Sequence, residues 1–328
     1  MTAELLDENS VTAYVIEQGL FSSSSEVDVQ LLTGGVSNVV IALCAEGKEY
    51  VLKQALPQLR VKSTWLADPR RAIVEARALD VLHAITPERV PRLRYLDPDR
   101  FVVVLDRADS RCTNWKEDLL SGKISADVAH QLGETVGSWH KSSSTNPELL
   151  NEFIEDELFE QLRINPFYRS LAPIHTDIAP LLQKLIDELE GNRTSLVHGD
   201  FSPKNILVTH ENHAIVLDFE VAHTGNPVFD LAFLLGHFLC KQEHLDNDRD
   251  RNCLALCASS FISAYQNSYH SPDPSLAWHL ATIALARVDG VSPAGYLDWQ
   301  GQNRVRERCL RILRLQNPPS IPEVFFQS

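Results

Sequence analysis

Between residues 27 and 105 the chain runs in short stretches of alternating apolar and polar residues, whereas beyond about residue 113 the apolar spacing becomes helical. That switch is the strongest constraint on the fold. Strands gathered at one end and helices at the other build an α+β protein with two regions, not a sheet whose strands alternate with helices. Strands are expected over 27–32, 36–44 and 48–54, the last two joined by a turn at Glu46-Gly47. Asp68-Pro69 reads as a helix start, with the helix running to about Ala84, and two further strands follow near 93–96 and 101–105. The boundaries drawn from this pattern are a strand-rich region 1–106, a hinge 107–113 and a helical region 114–328. In the last of these, helices are expected near 114–121, 125–141, 148–162, 177–190, 227–240, 251–268, 275–288 and 304–315, and the Pro-rich tail is expected to dock on the surface.

One strand-turn-strand segment interrupts the helices. In LVHGDFSPKNILV, residues 196–208, a histidine, a glycine and Asp200 follow an apolar run, and Asn205 stands five residues beyond the aspartate. Asp218 follows thirteen residues later in VLDFE. Two acids and an amide on adjoining strand ends are suited to hold magnesium beside a hydroxyl that must lose its proton. The Asp-to-Asn spacing is that of the catalytic loop of kinases, in which one Asp takes the proton while Asn and a second Asp hold the metal.

Phosphoryl transfer also requires a cation on the phosphates. Lys53 lies in the strand EYVLKQ, and the helix after it carries Glu75 on an apolar stripe with Leu79 and Leu82. A strand lysine followed by a helix glutamate is the order that phosphate binding needs, in preference to a surface pair of Glu75 with Arg71. Upstream, LLTGGVSNVV sets Gly34 and Gly35 between two strands, where glycine lets backbone N–H groups approach phosphates closely, and Ser37 and Asn38 at the start of the second strand join them as candidate nucleotide contacts.

Composition narrows the rest. The formal net charge is -14 and Lys and Arg form no cluster, so the footprint of a nucleic-acid binder is missing. No apolar run approaches a membrane span, and the acidic first twenty residues do not resemble a secretory signal, so a cytoplasmic setting is expected. The six scattered cysteines read as reduced thiols, without a histidine pair at zinc spacing.

HGDFSPKN, LDFE and NPVFDLAF together resemble the aminoglycoside phosphotransferase and choline kinase superfamily, over about residues 27–240. The resemblance implies a bilobal protein-kinase-like fold, a small strand-rich N-terminal lobe that binds ATP, a larger helical C-terminal lobe, and Mg2+ as cofactor. It implies Asp200 as catalytic base, Asn205 and Asp218 as magnesium ligands, and His198 and Asp230 as loop supports. Within the superfamily, KQALPQLRVKSTWLADPRRAIVEARAL is similar to the corresponding stretch of 5-methylthioribose kinases, where a tryptophan-bearing loop precedes the glutamate helix. Trp65 would be that tryptophan, or else an aromatic packed under the loop. Arg287 in ALARVDG stands where those enzymes carry paired arginines, and is a candidate for the acceptor site.

Several residues keep two readings. Ser202 occupies the position where protein kinases carry a lysine, leaving Lys204 either to reach the transferred phosphoryl or to face solvent. Glu220, in DFE, either supports a second magnesium or caps the loop. The acidic stretch NEFIEDELFEQ and the segment GYLDWQGQN, with Asp298 and Trp299, either line a pocket or form a solvated face. The expected activity is ATP-dependent phosphorylation of a small-molecule hydroxyl, on a sugar-like acceptor related to methylthioribose. Alternatives are an aminoglycoside, choline or other amino-alcohol kinase, and a nucleotide-binding pseudokinase. Oligomeric state is not legible.

Overall fold

The computed structural model describes residues 4–32, 37–58 and 68–326, and within it the chain divides into two compact units, Met1–Ser110 and Arg111–Ser328. The expectations for Gly34, Gly35 and Trp65 lie outside the described residues.

The first unit contains α1 (Val11–Glu17), β1 (Asp28–Leu31), β2 (Asn38–Ala45), β3 (Lys48–Ala55), α2 (Arg71–Ile85), β4 (Leu93–Asp97) and β5 (Val102–Asp106). The strands form one antiparallel sheet in the order β1-β2-β3-β5-β4. The β2–β3 turn puts Glu46 at φ 56° and Gly47 at φ 72°, the left-handed pair that matches a two-residue hairpin to the twist of its strands. Alternation along the strands then separates the faces. Ile41, Leu43, Tyr50, Leu52, Val102 and Val104 pack with Val11, Tyr14 and Val15 of α1 in one buried cluster. Lys53, one residue out of phase, pairs across the sheet with Val40 and Val103 and falls on the other face.

The expected start of α2 is one turn early. Asp68 caps through its carboxylate, which accepts the Arg70 amide at 2.9 Å, but the residues it organises form a turn and the helix begins at Arg71.

The second unit contains β6 (Thr113–Asn114), α3 (Trp115–Leu120), α4 (Ala126–Ser144), α5 (Pro147–Glu152), α6 (Glu157–Phe159), α7 (Asn165–Phe167), α8 (Ala179–Gly191), β7 (Ser195–Val197), β8 (Ile206–Val208), β9 (Ala214–Val216), β10 (His223–Gly225), α9 (Val228–His244), α10 (Asp248–Ser268), α11 (Leu276–Asp289), α12 (Trp299–Leu313) and α13 (Ile321–Phe325). Three differences from the sequence reading have local causes. Residues 113 and 114, assigned to the hinge and the start of a helix, pair with Val208 and Leu207 as an edge of the β6-β8-β9 sheet. The helix expected over 148–162 is broken after Glu152, and a π-helical turn, Glu160–Ile164, joins α6 to α7. Finally, α12 starts at Trp299 because the Asp298 carboxylate accepts the Gly301 amide at 2.6 Å, so Asp298 serves as a helix cap while Trp299 stands 74% exposed.

The α4–α10 pair is close enough that a Cβ on Gly133 would lie 2.2 Å from the Phe261 carbonyl oxygen. Trp139 of α4 meets Phe201 and Phe219 edge-on, with ring centroids 6.1 and 5.8 Å away, beneath the segment that carries Asp200. The tail docks as expected, with a Ser320–Glu323 capping box starting α13 and Val324 and Phe325 buried. Among the described residues no helix is long and apolar enough to cross a membrane.

Candidate active site

The loop between β7 and β8 is held from below by one carboxylate. Asp230, in the first turn of α9 and fully buried, accepts the His198 amide at 2.7 Å on Oδ2 and the Gly199 amide at 2.9 Å on Oδ1. The Nε2 of His140 on α4 lies 3.2 Å from the same Oδ2, and its Nδ1 lies 3.2 Å from the Tyr265 hydroxyl on α10. Burial works against the charge on Asp230, but these donors outweigh it and hold the carboxyl below its ordinary range. Gly199 takes φ 74°, and a Cβ there would lie 2.5 Å from the Val221 carbonyl oxygen, so only glycine fits the turn.

His198 completes the support. Its Nδ1 accepts the Asp200 amide at 3.1 Å, so its proton sits on Nε2 and is donated to the Leu217 carbonyl at 3.1 Å. Burial pushes its pKa down, which keeps the ring neutral and structural.

Above this support Asp200 is buried and crowded on one oxygen. Its Oδ2 accepts Asn205 Nδ2 at 2.9 Å and lies 3.0 Å from Arg163 Nη2 and 2.9 Å from Lys204 Nζ. All three donors converge on Oδ2 and leave Oδ1 for another partner. Burial would raise the carboxyl, but Arg163 and then Lys204 oppose it and the net shift is downward, so Asp200 stays ionised in a desolvated position. Arg163 also donates Nε to the Gly199 carbonyl at 2.6 Å, tying the π-helical turn to the loop.

Asn205 uses Nδ2 twice, to Asp200 Oδ2 and to the Asp200 carbonyl at 3.0 Å, which turns its Oδ1 away from the loop. Its own carbonyl accepts the Leu217 amide at 2.8 Å, so Asn205 and Asp218 stand side by side at the end of the β8–β9 pair. Asp218 holds φ 73°, a left-handed conformation uncommon for non-glycine residues, of which aspartate is one of the few that adopt it, and one often retained at functional sites. An amide oxygen and a carboxylate at one strand end are hard donors that fit magnesium. Among the described residues, no group of three His, Cys, Asp or Glu gathers as a metal site.

In the first unit, Lys53 Nζ lies 2.5 Å from Glu75 Oε1, with both side chains largely buried. Arg71, the surface alternative for Glu75, is itself fully buried, donating to the carbonyls of Ser37, Leu56 and Asp68. Ser37 and Asn38 open β2 beside that anchor, and Asn38 Nδ2 donates to Ser37 Oγ at 3.0 Å.

The remaining expectations divide. Lys204 is about half exposed yet reaches Asp200. Ser202 is fully buried, and Glu220 is buried next to Phe219. The acidic stretch 151–161 is mostly solvent-facing, with Phe153 and Phe159 its buried residues. Arg287 ends α11 with Nη1 donating to Ser292 Oγ at 2.9 Å. Arg163 and His140 were missed by the sequence reading. Neither stands in a spacing tied to the Asp-Asn loop; only a π-helical turn, often found at functional sites, would have marked Arg163.

Known proteins match this architecture. The model of the phosphotransferase enzyme family, APH, matches residues 28–275. Methylthioribose kinase from Bacillus cereus (strain AH820) is 26% identical over 260 residues, which cover 71% of this chain and 66% of that protein. The chain thus spans just under two thirds of the length of the curated relatives it matches first. Among solved structures, a choline/ethanolamine kinase family protein from Mesorhizobium loti has a TM-score of 0.57 at 15% identity, covering 94% of this chain and 95% of that one. Choline kinase LicA from Streptococcus pneumoniae has a TM-score of 0.52 at 13% identity, covering 93% and 98%, and LicA has also been solved in complex with AMP. At such identities the likeness concerns the fold, a strand-rich N-terminal part and a helical C-terminal part as in protein-kinase-like phosphotransferases.

Proposed function

The chain belongs to the phosphotransferase enzyme family, and from that premise we propose that it moves the γ-phosphoryl group of ATP to a hydroxyl of a small, sugar-like acceptor. The observation that carries this reading is the state of Asp200. A carboxylate kept ionised in a buried position, with Oδ2 saturated and Oδ1 open, is built to receive one hydroxyl proton. Its lowered pKa makes it a weak base. That suits a loose phosphoryl-transfer transition state, in which the hydroxyl is oriented first and gives up its proton late.

The other residues have separate roles. Asn205 Oδ1 and the Asp218 carboxylate would hold magnesium, which when bound neutralises phosphate charge. Lys53, positioned by Glu75, would contact nucleotide phosphates. Arg163 and Lys204 set the charge and orientation of Asp200, and Lys204 is exposed enough to reach a phosphoryl oxygen. Possession of the whole set, Lys53, Glu75, Asp200, Asn205 and Asp218, favours a working kinase over a pseudokinase. The preference for a sugar-like acceptor rests on the methylthioribose kinases among the relatives and on the likeness of residues 53–79 to such enzymes.

The test is a phosphate-transfer screen with magnesium-ATP against sugars, sugar derivatives and amino alcohols. Asp200→Asn should lower kcat roughly a hundredfold or more while nucleotide affinity stays nearly unchanged. A folded variant with near-normal turnover would remove Asp200 from the chemistry.

A further inference from the structure

One face of α9 runs away from the catalytic loop and buries a lysine that forms no ion pair among the described residues. Phe233, His237 and Lys241 are spaced four apart and share that face. It starts at the reacting end, where the Arg163 guanidinium lies 5.5 Å from the centre of the Phe233 ring while also touching Asp200. The His237 ring lies 5.2 Å from that of Phe233. Lys241, 1% exposed, lies roughly 12 Å further along the axis at helical rise, with Nζ 5.1 Å from the Tyr296 ring centre.

Among the described residues no carboxylate pairs with His237 or Lys241. The acids nearest in sequence are used elsewhere: Glu243 pairs with Arg304 and Arg308, and Asp289 with Arg306 and His175. Arg287 Nε and the Tyr296 hydroxyl are also buried without a hydrogen-bond partner among the described residues. Buried polar groups in a folded protein are ordinarily satisfied, and a buried ammonium whose contact is a ring face and not a carboxylate is costly to keep charged. A helix C-terminus favours a lysine but supplies no charge equal to the one lost from water.

We propose that this file is the far end of the acceptor site, and that the acceptor is an anionic hydroxyl compound whose carboxylate or phosphate is held by Lys241, Arg287 and the Tyr296 hydroxyl while its reacting hydroxyl meets Asp200 Oδ1. The inference rests on the phosphotransferase reading and adds the charge class of the substrate. Helical side chains lean toward the N-terminus, so Lys241 is directed back along α9 toward the end where Phe233 meets Arg163, and the acceptor would lie along that face. The groups that face Lys241 support the assignment. Burial, followed by Arg287 and Lys116 against the opposing Cys240 and Glu117, brings its pKa down to about 7, and His237 is pushed well below its ordinary value by burial and by Lys241, Arg287, Lys204 and Arg163. An arriving anion restores the charge on Lys241, so binding takes up a proton near neutral pH. A cationic amino alcohol would meet repulsion along the same face. The chain's net charge of -14 therefore does not describe this surface.

The experiment compares, on the full chain with magnesium-ATP, a neutral pentose, pentose 5-phosphate, a five- or six-carbon sugar acid, choline and an aminoglycoside. The expected result is the highest kcat/KM for one of the two anionic classes, the phosphate and acid arms telling the two sources apart. Lys241→Met and Arg287→Gln should each raise the KM for that acceptor roughly thirtyfold or more, with the nucleotide KM little changed. Lys241→Met removes a buried charge and keeps the shape, so its melting temperature should not fall. Transfer to neutral or cationic acceptors only, with their KM values unmoved by Lys241→Met, overturns the anionic acceptor and leaves the kinase reading standing. Absence of nucleotide binding together with absence of transfer overturns both.

Discussion

Two ends of α9 treat buried charge in opposite ways. At its first turn Asp230 is buried with its carboxylate met by the amides of His198 and Gly199 and by His140, and burial there fixes a loop. At its last turn Lys241 is equally buried, but no carboxylate forms an ion pair with it among the described residues, and Arg287 and Lys116 repel it while the opposing Glu117 is paired with Lys116. A satisfied buried charge reads as architecture, and an unsatisfied one as a group waiting for a ligand.

Removing each charge should expose that contrast. Asp230→Ala strands two loop amides and His140, so it should destabilise the protein by about 3–5 kcal/mol, visible as a large fall in melting temperature with loss of turnover in whatever remains folded. A loss under about 1 kcal/mol would mean the loop holds itself.

Lys241→Met should act in the other direction, stabilising by about 1–4 kcal/mol at neutral pH. The sign follows from linkage. The folded pKa of about 7 lies below the ordinary 10.5, so between those values the unfolded chain binds the extra proton and wild-type stability rises with pH. The advantage of Lys241→Met should therefore be greatest at and below pH 7 and shrink as pH climbs toward 10.5. Cys240, Arg287, Lys116 and Glu117 act on the lysine throughout. A constant or reversed difference would show that Lys241 has a partner in solution.

Asn205→Ala and Asp218→Ala probe the loop that Asp230 supports, rather than the support itself. Each should raise the magnesium concentration needed for half-maximal activity about tenfold, roughly 1.4 kcal/mol, because each removes an oxygen donor from a hard cation. Identical magnesium titrations for wild type and both variants would make these residues structural.

The smallest effect is expected from the π-helical turn. Arg163 is the chief charge opposing the upward push of burial on Asp200, so Arg163→Met should raise the Asp200 pKa and move the acid limb of kcat/KM to higher pH. An unmoved limb would show that Lys204 and the Asn205 amide suffice.

The amino-acid sequence by itself determined the parts whose partners are close along the chain. The α+β division follows from a change of period. The β2–β3 hairpin follows from Glu46-Gly47, and the Asp200–Asn205 contact follows from five-residue spacing, because a tight loop leaves few other arrangements. Lys53 and Glu75 were legible because each falls on the inward side of its own element, and two such sides must face each other. Only the tertiary structure decided what comes from far away. Arg163 reaches Asp200 from a π-helical turn that periodicity reads as one long helix, and His140 reaches Asp230 from α4 while its other ring nitrogen meets Tyr265 of α10. Lys241, Arg287 and Tyr296 come from separate segments, and none stands in a spacing that names its neighbour. A short-range pattern records what a residue's own helix or strand requires. The sign and number of charges around a buried atom depend on the packing of every element against it, and no local pattern carries that.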